Sequence, residues 1–271
     1  MAITREMAMA AAAPRRARIR RIGTDDLRAS LRDGWADFRD KRGDIILLGL
    51  LYPLVGFLAV LASLGSFHLE LLFPVFAGLT LLGPLVATGF YEIARRREAG
   101  DPAGWSHFFD VTKSPSFPAM MGIGGGLFLL FGLWLLAAAG IWVAFLGPDV
   151  PDTPGGLMAQ VFGTPAGWQM MVVGNLVGLG FAVVVLAVST VALPMLVDRE
   201  ATAAEAVLTS VAAFRANSGV MLRWGLTVAV VLILGAIPVL IGLAVALPVL
   251  GYATWHLYTR VVERDGAAPV A

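Results

Sequence analysis

Residues 117–147, FPAMMGIGGGLFLLFGLWLLAAAGIWVAFLG, decide the fold class of this chain. The stretch contains no Asp, Glu, Lys or Arg, and it exceeds the roughly 20 apolar residues that a helix needs to cross a bilayer core of about 30 Å. The rest of the chain shares this character, since 58% of its 271 residues are hydrophobic and only 14% are charged. A soluble domain usually carries about 25% charged residues. The sequence therefore predicts an all-α, polytopic membrane helical bundle.

Six transmembrane helices are predicted once the longest uncharged stretch is divided. As one straight helix, residues 224–259 would be about 50 Å long, which is more than a membrane accommodates. Residues 238–242 contain a proline and a glycine and offer a turn within this stretch. The predicted spans are about 45–66, 71–91, 117–147, 167–197, 224–241 and 243–259. They form a membrane domain over 24–262, between a disordered basic cytoplasmic tail at 1–23 and a disordered tail at 263–271.

The distribution of charge gives this layout an orientation. If both termini lie on the same side, the inner segments 1–44, 92–116, 198–223 and 260–271 hold 11, 4, 3 and 2 basic residues, which are all 20 Lys and Arg of the chain. The outer segments carry acidic residues instead, at Glu70, Asp149 and Asp152. Cytoplasmic loops collect Lys and Arg. We therefore expect a multi-pass protein of the bacterial inner (cytoplasmic) membrane, with the N-terminus and the C-terminus in the cytoplasm.

Short amphipathic helices are predicted at the cytoplasmic face before pairs of spans. In the first, Leu31 shares one helical face with two aromatic residues at spacings of 4 and 3. In the last, Thr202-Ala203-Ala204-Glu205 is typical of a capping box. These helices either lie flat with their aromatic residues at the lipid headgroups or fold back to plug the bundle. The predicted interfacial anchors are Trp35, Phe38, Trp105 and Phe214.

The amphipathic segments and three prolines suggest a threefold internal repeat. The second span of each pair contains a proline, at Pro84, Pro194 and Pro248. Such a proline kinks a membrane helix and frees a backbone carbonyl, which neighbouring groups must then satisfy. Each copy would be an interfacial helix followed by a helical hairpin. The alternative is that helices rich in Ala, Leu and Gly resemble one another through composition alone, and the middle copy is the weakest of the three.

The residue types that carry most membrane chemistry are missing from the predicted spans. No span has a charged residue at its centre, which argues against a proton pump, a carboxylate-coupled transporter and a voltage sensor. The chain has no cysteine, and its histidines, His68, His107 and His256, lack the spacing of metal ligands. An interfacial aromatic belt explains His256. We therefore predict no catalytic residue, no metal, no cofactor and no enzymatic activity.

Two groups of residues remain as candidate sites. Asn175 is the candidate intramembrane polar site, because it is the most polar residue deep in any predicted span. It either makes an interhelical hydrogen bond or lines a cavity. Arg95, Arg96 and Arg97 directly follow a span, and they are candidate contacts for anionic lipid headgroups.

Residues 31–49, the run from Gly83-Pro84 to Tyr91-Glu92, and the loop at 105–109 carry a family resemblance. In these patches the chain resembles the bacterial predicted integral membrane proteins of domain-of-unknown-function family 2189. The resemblance covers about residues 24–262. It implies a multi-span inner-membrane protein with no established reaction and no functional residues to carry over.

Two functions from different classes are compatible with the sequence. The first is a non-enzymatic membrane module that binds lipids, another membrane protein or a second copy of the chain, without nucleic acid. The second is a channel or facilitator for a neutral small solute. In that case, Asn175 and carbonyls freed near the three prolines would line the passage. A bundle sealed by Leu, Phe and Gly would favour the first.

Overall fold

The computed structural model describes residues 17–40, 54, 72–149, 151, 153–238 and 241–264. These residues form nine α-helices and one 3₁₀ helix, and they contain no strand. Outside the described residues lie Glu70, Asp152, most of both tails, and the predicted span at 45–66 except for residue 54. The helices are α1 (Thr24–Asp40), α2 (Leu72–Ala99), α3 (Phe117–Leu146), α4 (Pro154–Gly163), α5 (Pro165–Ser189), α6 (Ala192–Asp198), α7 (Ala203–Ala216), α8 (Ser218–Ala236) and α9 (Leu243–Val261), with the 3₁₀ helix (Trp105–Lys113) between α2 and α3.

Three helical segments are long and apolar enough to cross a membrane. They are Phe117–Leu146, Pro165–Asp198 and Ser218–Ala236, and they agree with three of the predicted spans to within a few residues. The division of residues 224–259 is also confirmed, because α8 ends at Ala236 and α9 begins at Leu243. The turn is tight, since a Cβ atom added to Gly242 would lie 2.7 Å from the carbonyl oxygen of Gly235. The full count of six spans stays a prediction.

Helix α9 is the central helix of the described fold. Fourteen of its 19 residues are buried, and it packs against α1, α2 and α8. The contact with α1 is so close that a Cβ on Gly34 would lie 2.5 Å from the backbone nitrogen of Ala253. A Cβ on Gly251 would meet the Phe90 side chain of α2 at 2.7 Å. Protein therefore surrounds most of this predicted span.

Helix α1 packs closely against α9. Its buried residues are Leu27, Ser30, Gly34 and Phe38, a face rotated from the predicted one. Small residues on that face allow the close approach to α9. The segments flanking this helix pair also meet, since Ile19 and Val262 form an isolated antiparallel bridge. The contact with α9 is established, whereas the predicted positions flat at the headgroups or as a plug of the bundle both stay predictions.

A side chain of another helix bridges two backbone groups where α5 ends and α6 begins. Pro194 has no N–H for the carbonyl four residues earlier, and its ring crowds that carbonyl, so the helix breaks between Ser189 and Ala192. At the break, the Val191 N–H donates to Ser210 Oγ of α7 (3.2 Å), and Ser210 Oγ donates to the Ala187 carbonyl (2.7 Å). The hydroxyl thus joins two groups that a continuous helix would pair directly. A side chain of the neighbouring helix α7 therefore satisfies two backbone groups near Pro194, whereas the carbonyl that the proline itself frees is that of Thr190.

The amphipathic helices of the first and third predicted copies, α1 and α7, share a pattern of burial. In the predicted register, Ser30 and Gly34 of α1 correspond to Ala206 and Ser210 of α7, and all four are buried. The predicted capping box of Thr202 and Glu205 at the start of α7 is confirmed. The middle copy differs, because its amphipathic element is a 3₁₀ helix. The threefold repeat stays a prediction, since the first span of the first copy lies outside the described residues.

Candidate functional site

The three consecutive arginines at the end of α2 point to different partners. Arg97 reaches α1, where its Nε lies 3.1 Å from Asp37 Oδ1 and its Nη2 lies 2.8 Å from Asp40 Oδ2. Arg95 and Arg96 both bind Glu92 of their own helix, at 2.7–2.8 Å. The predicted cluster of lipid contacts is therefore divided. Arg97 belongs to the contact with α1, and Arg95 and Arg96 line a separate cavity.

Two side-chain contacts join α1 to α9, and the residues of the two helices are paired in antiparallel order. Asp33 Oδ2 accepts a hydrogen bond from Arg260 Nη2 at 2.6 Å, and Asp37 Oδ2 lies 2.8 Å from His256 Nε2. The assignment of His256 to an aromatic belt is wrong, because the imidazole is held by a carboxylate of α1. A sequence signal was present. The two aspartates are four residues apart on one helix, and His256 and Arg260 are four apart on the other, so each pair shares a helical face.

The charged partners control the ionisation of these carboxyl groups. Burial raises the pKa of Asp33, but hydrogen bonds from Arg260 and Arg32 outweigh this and leave the pKa below its ordinary value. The same balance holds at the end of α2, where Arg264 binds Glu98. There, burial is outweighed by Arg264 and by the Trp255 indole, and the pKa of Glu98 is lowered. Both groups therefore favour the ionised form in the folded protein.

A polar cavity of about 450 Å³ lies between α2, the 3₁₀ helix and the start of α3. Glu92 lies on one side of the cavity. It is only 6% exposed, and its carboxylate binds the guanidinium groups of Arg95 and Arg96. The other wall is Asp110, which binds Arg96 (3.0 Å) and Lys113 (2.6 Å). Hydrogen bonds from Lys113 and His107 hold the pKa of Asp110 at about 2. Val111, Ser114, Pro115 and Val197 complete the lining.

The four predicted interfacial anchors lie in different environments. Trp105 is 53% exposed and Trp35 is 46% exposed, so both are accessible from outside the chain. Phe38 is only 3% exposed and packs in the core, so its assignment as a lipid-facing anchor is wrong. The physical reason is that α1 turns this side towards α9. Phe214 is half-buried against the core.

The 3₁₀ helix presents an aromatic surface that the sequence indicates only in part. Phe108 is the anchoring residue, since its ring lies 5.0 Å from that of Phe90 and directly over Gly89. Phe109 next to it is 48% exposed, like Trp105. The 3₁₀ helix therefore holds two aromatic side chains outward beside the polar cavity.

Asn175 lies on an exposed face of α5 and borders a cavity of about 550 Å³ between α5 and α3. The predicted interhelical hydrogen bond is not what the structure shows. The Asn175 side chain donates to the Met171 carbonyl of its own helix at 2.7 Å. The alternative, a residue that lines a cavity, agrees with the structure. The lining is uncharged and includes Trp134, Trp142, Gly174 and Gly178.

One residue that lines the Asn175 cavity has a hydrogen-bond donor without a partner. The indole N–H of Trp142 is buried and has no hydrogen-bond partner. Gly174 has no heavy atom within 4 Å of the position that a Cβ would take, so the cavity is open at that point. Among the residues that the structure describes, no three His, Asp or Glu side chains lie together in a way that could hold a metal ion.

Part of this chain matches the model of a known protein family. Residues 72–198 match the model of a family described as a predicted integral membrane protein, DUF2189. The segment runs from the first residue of α2 to the last residue of α6, and it contains the lining of both cavities. The resemblance stated from the sequence is thus confirmed over residues 72–198. No curated protein and no solved structure matches the chain.

Proposed function

We propose that this integral membrane protein is a non-enzymatic module that binds lipids or another membrane protein, inserted in the inner membrane with both ends in the cytoplasm. The observation that carries the proposal is how little of α3, a helix without a charged residue, is buried within the chain. Only 6% of the residues in the most apolar part of α3 are buried within the chain. An apolar surface of this size must be covered by acyl chains or by another protein.

The burial of α9, which contrasts with the exposure of α3, supports the same proposal. Helix α9, in which 14 of 19 residues are buried, carries His256 and Arg260, whereas α3 has no charged residue and only four buried residues. Exposed apolar side chains follow α3 from Phe128 to Val143 and α5 from Trp168 to Leu179. The outward side of these two helices is therefore the surface that contacts other molecules.

The cavity at Asn175 gives that surface a specific place for binding. Its volume of about 550 Å³ lies within the range of about 300–1,000 Å³ that is usual for small-molecule sites. Its lining combines two tryptophans and small residues with a single amide, and it has no charge. An acyl chain, or an apolar side chain of a partner helix, fits this chemistry.

The solute facilitator has less support. It requires Asn175 and carbonyls freed near the prolines to line one passage. The cavity at Asn175 contains none of Pro84, Pro194 and Pro248, and the last two are buried in the core. Liposome flux of uncharged solutes above that of empty vesicles would reverse this preference.

A pair of glycine variants on one helix tests the proposed function. In Gly174→Leu the new side chain fills the cavity without meeting the backbone, whereas Gly180→Leu makes the same change at an open position outside the cavity lining. The full chain is purified from native membranes, and its copurifying lipids and proteins are identified by mass spectrometry. We expect Gly174→Leu to reduce the enriched molecules and Gly180→Leu to leave them unchanged. Equal profiles for both variants and the wild type, or no enrichment over bulk membrane, would contradict the proposal.

A further inference from the structure

We propose that the polar cavity lined by Glu92, Arg95, Arg96, Asp110 and Lys113 binds the phosphate group of an anionic phospholipid. The inference rests on the proposed function and names one class of lipid. It concerns a different cavity from the one at Asn175, so the two are tested by different residues.

The cavity retains cationic donors after its internal ion pairs are formed. An arginine carries five N–H donors and a lysine three. Arg95 uses Nε and Nη2 on Glu92, which leaves its Nη1 group without a partner among the described residues. Lys113 uses one donor on Asp110, and its side chain is 79% exposed. A phosphate oxygen accepts charge-assisted hydrogen bonds of this kind.

The charge of the lining also favours an anion. Three cations, Arg95, Arg96 and Lys113, face the two carboxylates of Glu92 and Asp110. Both carboxylates already accept two or more hydrogen bonds from these cations. The remaining positive charge is therefore the part of the lining without a counterion.

The neighbouring carboxylates of Asp101 and Asp198 lie outside the lining of the cavity. Asp101 and Asp198 act on Arg95 at longer range. Asp198 is engaged by Arg199 at 3.4 Å and by Arg264 at 3.6 Å. The negative charge closest to the cavity from α6 therefore has its own counterions.

The position of the cavity selects a lipid over a soluble phosphate. Ser114 and Pro115 of its lining lie just before α3, a helix that is long and apolar enough to cross a membrane. The 3₁₀ helix beside it exposes Trp105 and Phe109, and the amphipathic indole ring of a tryptophan such as Trp105 favours the headgroup level of a bilayer. A phosphate bound there would keep its glyceride backbone and acyl chains next to α3.

Two variants of equally exposed cations test the assignment. Lys113→Gln removes a cation of the cavity, and Arg28→Gln removes one on α1 that is 77% exposed and, among the described residues, pairs with Asp25 alone. The full chain in a neutral detergent is titrated with phosphatidylglycerol or phosphatidylcholine, and bound lipid is counted by native mass spectrometry. A cation near an anionic lipid contributes about 1 kcal/mol, which corresponds to about a fivefold change in affinity.

We expect the wild type to bind phosphatidylglycerol several-fold more tightly than phosphatidylcholine at low salt. Lys113→Gln should weaken the anionic lipid about fivefold, Lys113→Arg should restore it, and Arg28→Gln should leave it unchanged. Equal affinities for the two lipids, or equal effects of Lys113→Gln and Arg28→Gln, would overturn the assignment. Inorganic phosphate that binds in a Lys113-dependent way without a preference for phosphatidylglycerol would assign the cavity to a free anion and overturn the lipid. None of these outcomes changes the comparison of Gly174→Leu with Gly180→Leu.

Discussion

Single polar side chains decide where the helices of this protein meet. Ser210 is the clearest case, because one hydroxyl both accepts from the Val191 N–H and donates to the Ala187 carbonyl. Both backbone groups lie at the α5–α6 break, where no water from bulk solvent reaches if the helix crosses a bilayer. The break at Pro194 is therefore stabilised by a residue of another helix.

Replacement of Ser210 by alanine should destabilise the protein by about 1–3 kcal/mol, since it leaves a buried donor and a buried acceptor without partners. Thermal unfolding of the purified protein in detergent measures the change. Ser189→Ala is the matched control, because its hydroxyl donates only to the Val185 carbonyl of its own helix, and it should cost less. If Ser210→Ala unfolds at the wild-type temperature, the hydroxyl does not stabilise the break.

The sequence predicts the presence of important residues better than it predicts their partners. Asn175 stands out as the deepest amide, yet it bonds to its own helix and borders a cavity. His256 is noticeable among aromatic residues, yet its partner is Asp37, which is more than 200 positions away in the chain. A partner that is distant in the sequence is fixed by packing, and one chain alone carries only the indirect signal of matching i,i+4 spacings.

At the scale of helices, the apolar runs predict where a helix lies but not what covers it. The run at 117–147 predicts α3 to within one residue of its observed end at Leu146. The run that forms α9 has similar apolar character in its first half, but protein covers it. Lipid and a protein core both require apolar residues, so composition does not separate them. The second half of α9 does contain a signal, since His256 and Arg260 need partners that lipid does not supply.

The ion pair of Asp33 and Arg260 between α1 and α9 should make this helix pair sensitive to acid. The folded-state pKa of Asp33 is lowered, so its contribution to stability is present above its ordinary pKa of about 4 and is lost as the pH falls through the folded value. Asp33→Asn should cost about 1–2 kcal/mol at pH 7, because it weakens a short contact to an arginine that is 9% exposed. The difference from the wild type should shrink as the pH falls below about 4.

Unfolding temperatures at pH 7, 5, 4 and 3 measure this effect. Asp25→Asn is the control on the same helix, since the Asp25 side chain is 94% exposed and its contact with Arg28 lies at the surface. It should change stability little at any of these pH values. A constant difference between Asp33→Asn and the wild type from pH 7 to pH 3 would contradict the role of the Asp33 carboxylate.

At the scale of the whole molecule, the described residues divide into a polar part and an apolar part. The polar part consists of α1, the ends of α2 and α9, and the 3₁₀ helix, whose charged side chains are paired with one another. The apolar part consists of α3, α5 and α8, in whose most apolar stretches only 6–22% of the residues are buried. The distribution of Lys and Arg in the sequence gives the same division. We infer that the polar part is the cytoplasmic end of the protein.

Reporter fusions in a bacterial host test this division most directly. A fusion after residue 150 follows α3, and a fusion after residue 271 follows α9. Because all basic segments are placed on one side, we predict that the first reporter is active only in the periplasm and the second only in the cytosol. If the reporter after residue 271 is found in the periplasm, or if both reporters are on the same side, the cations do not all lie on one face and the proposed membrane arrangement is wrong.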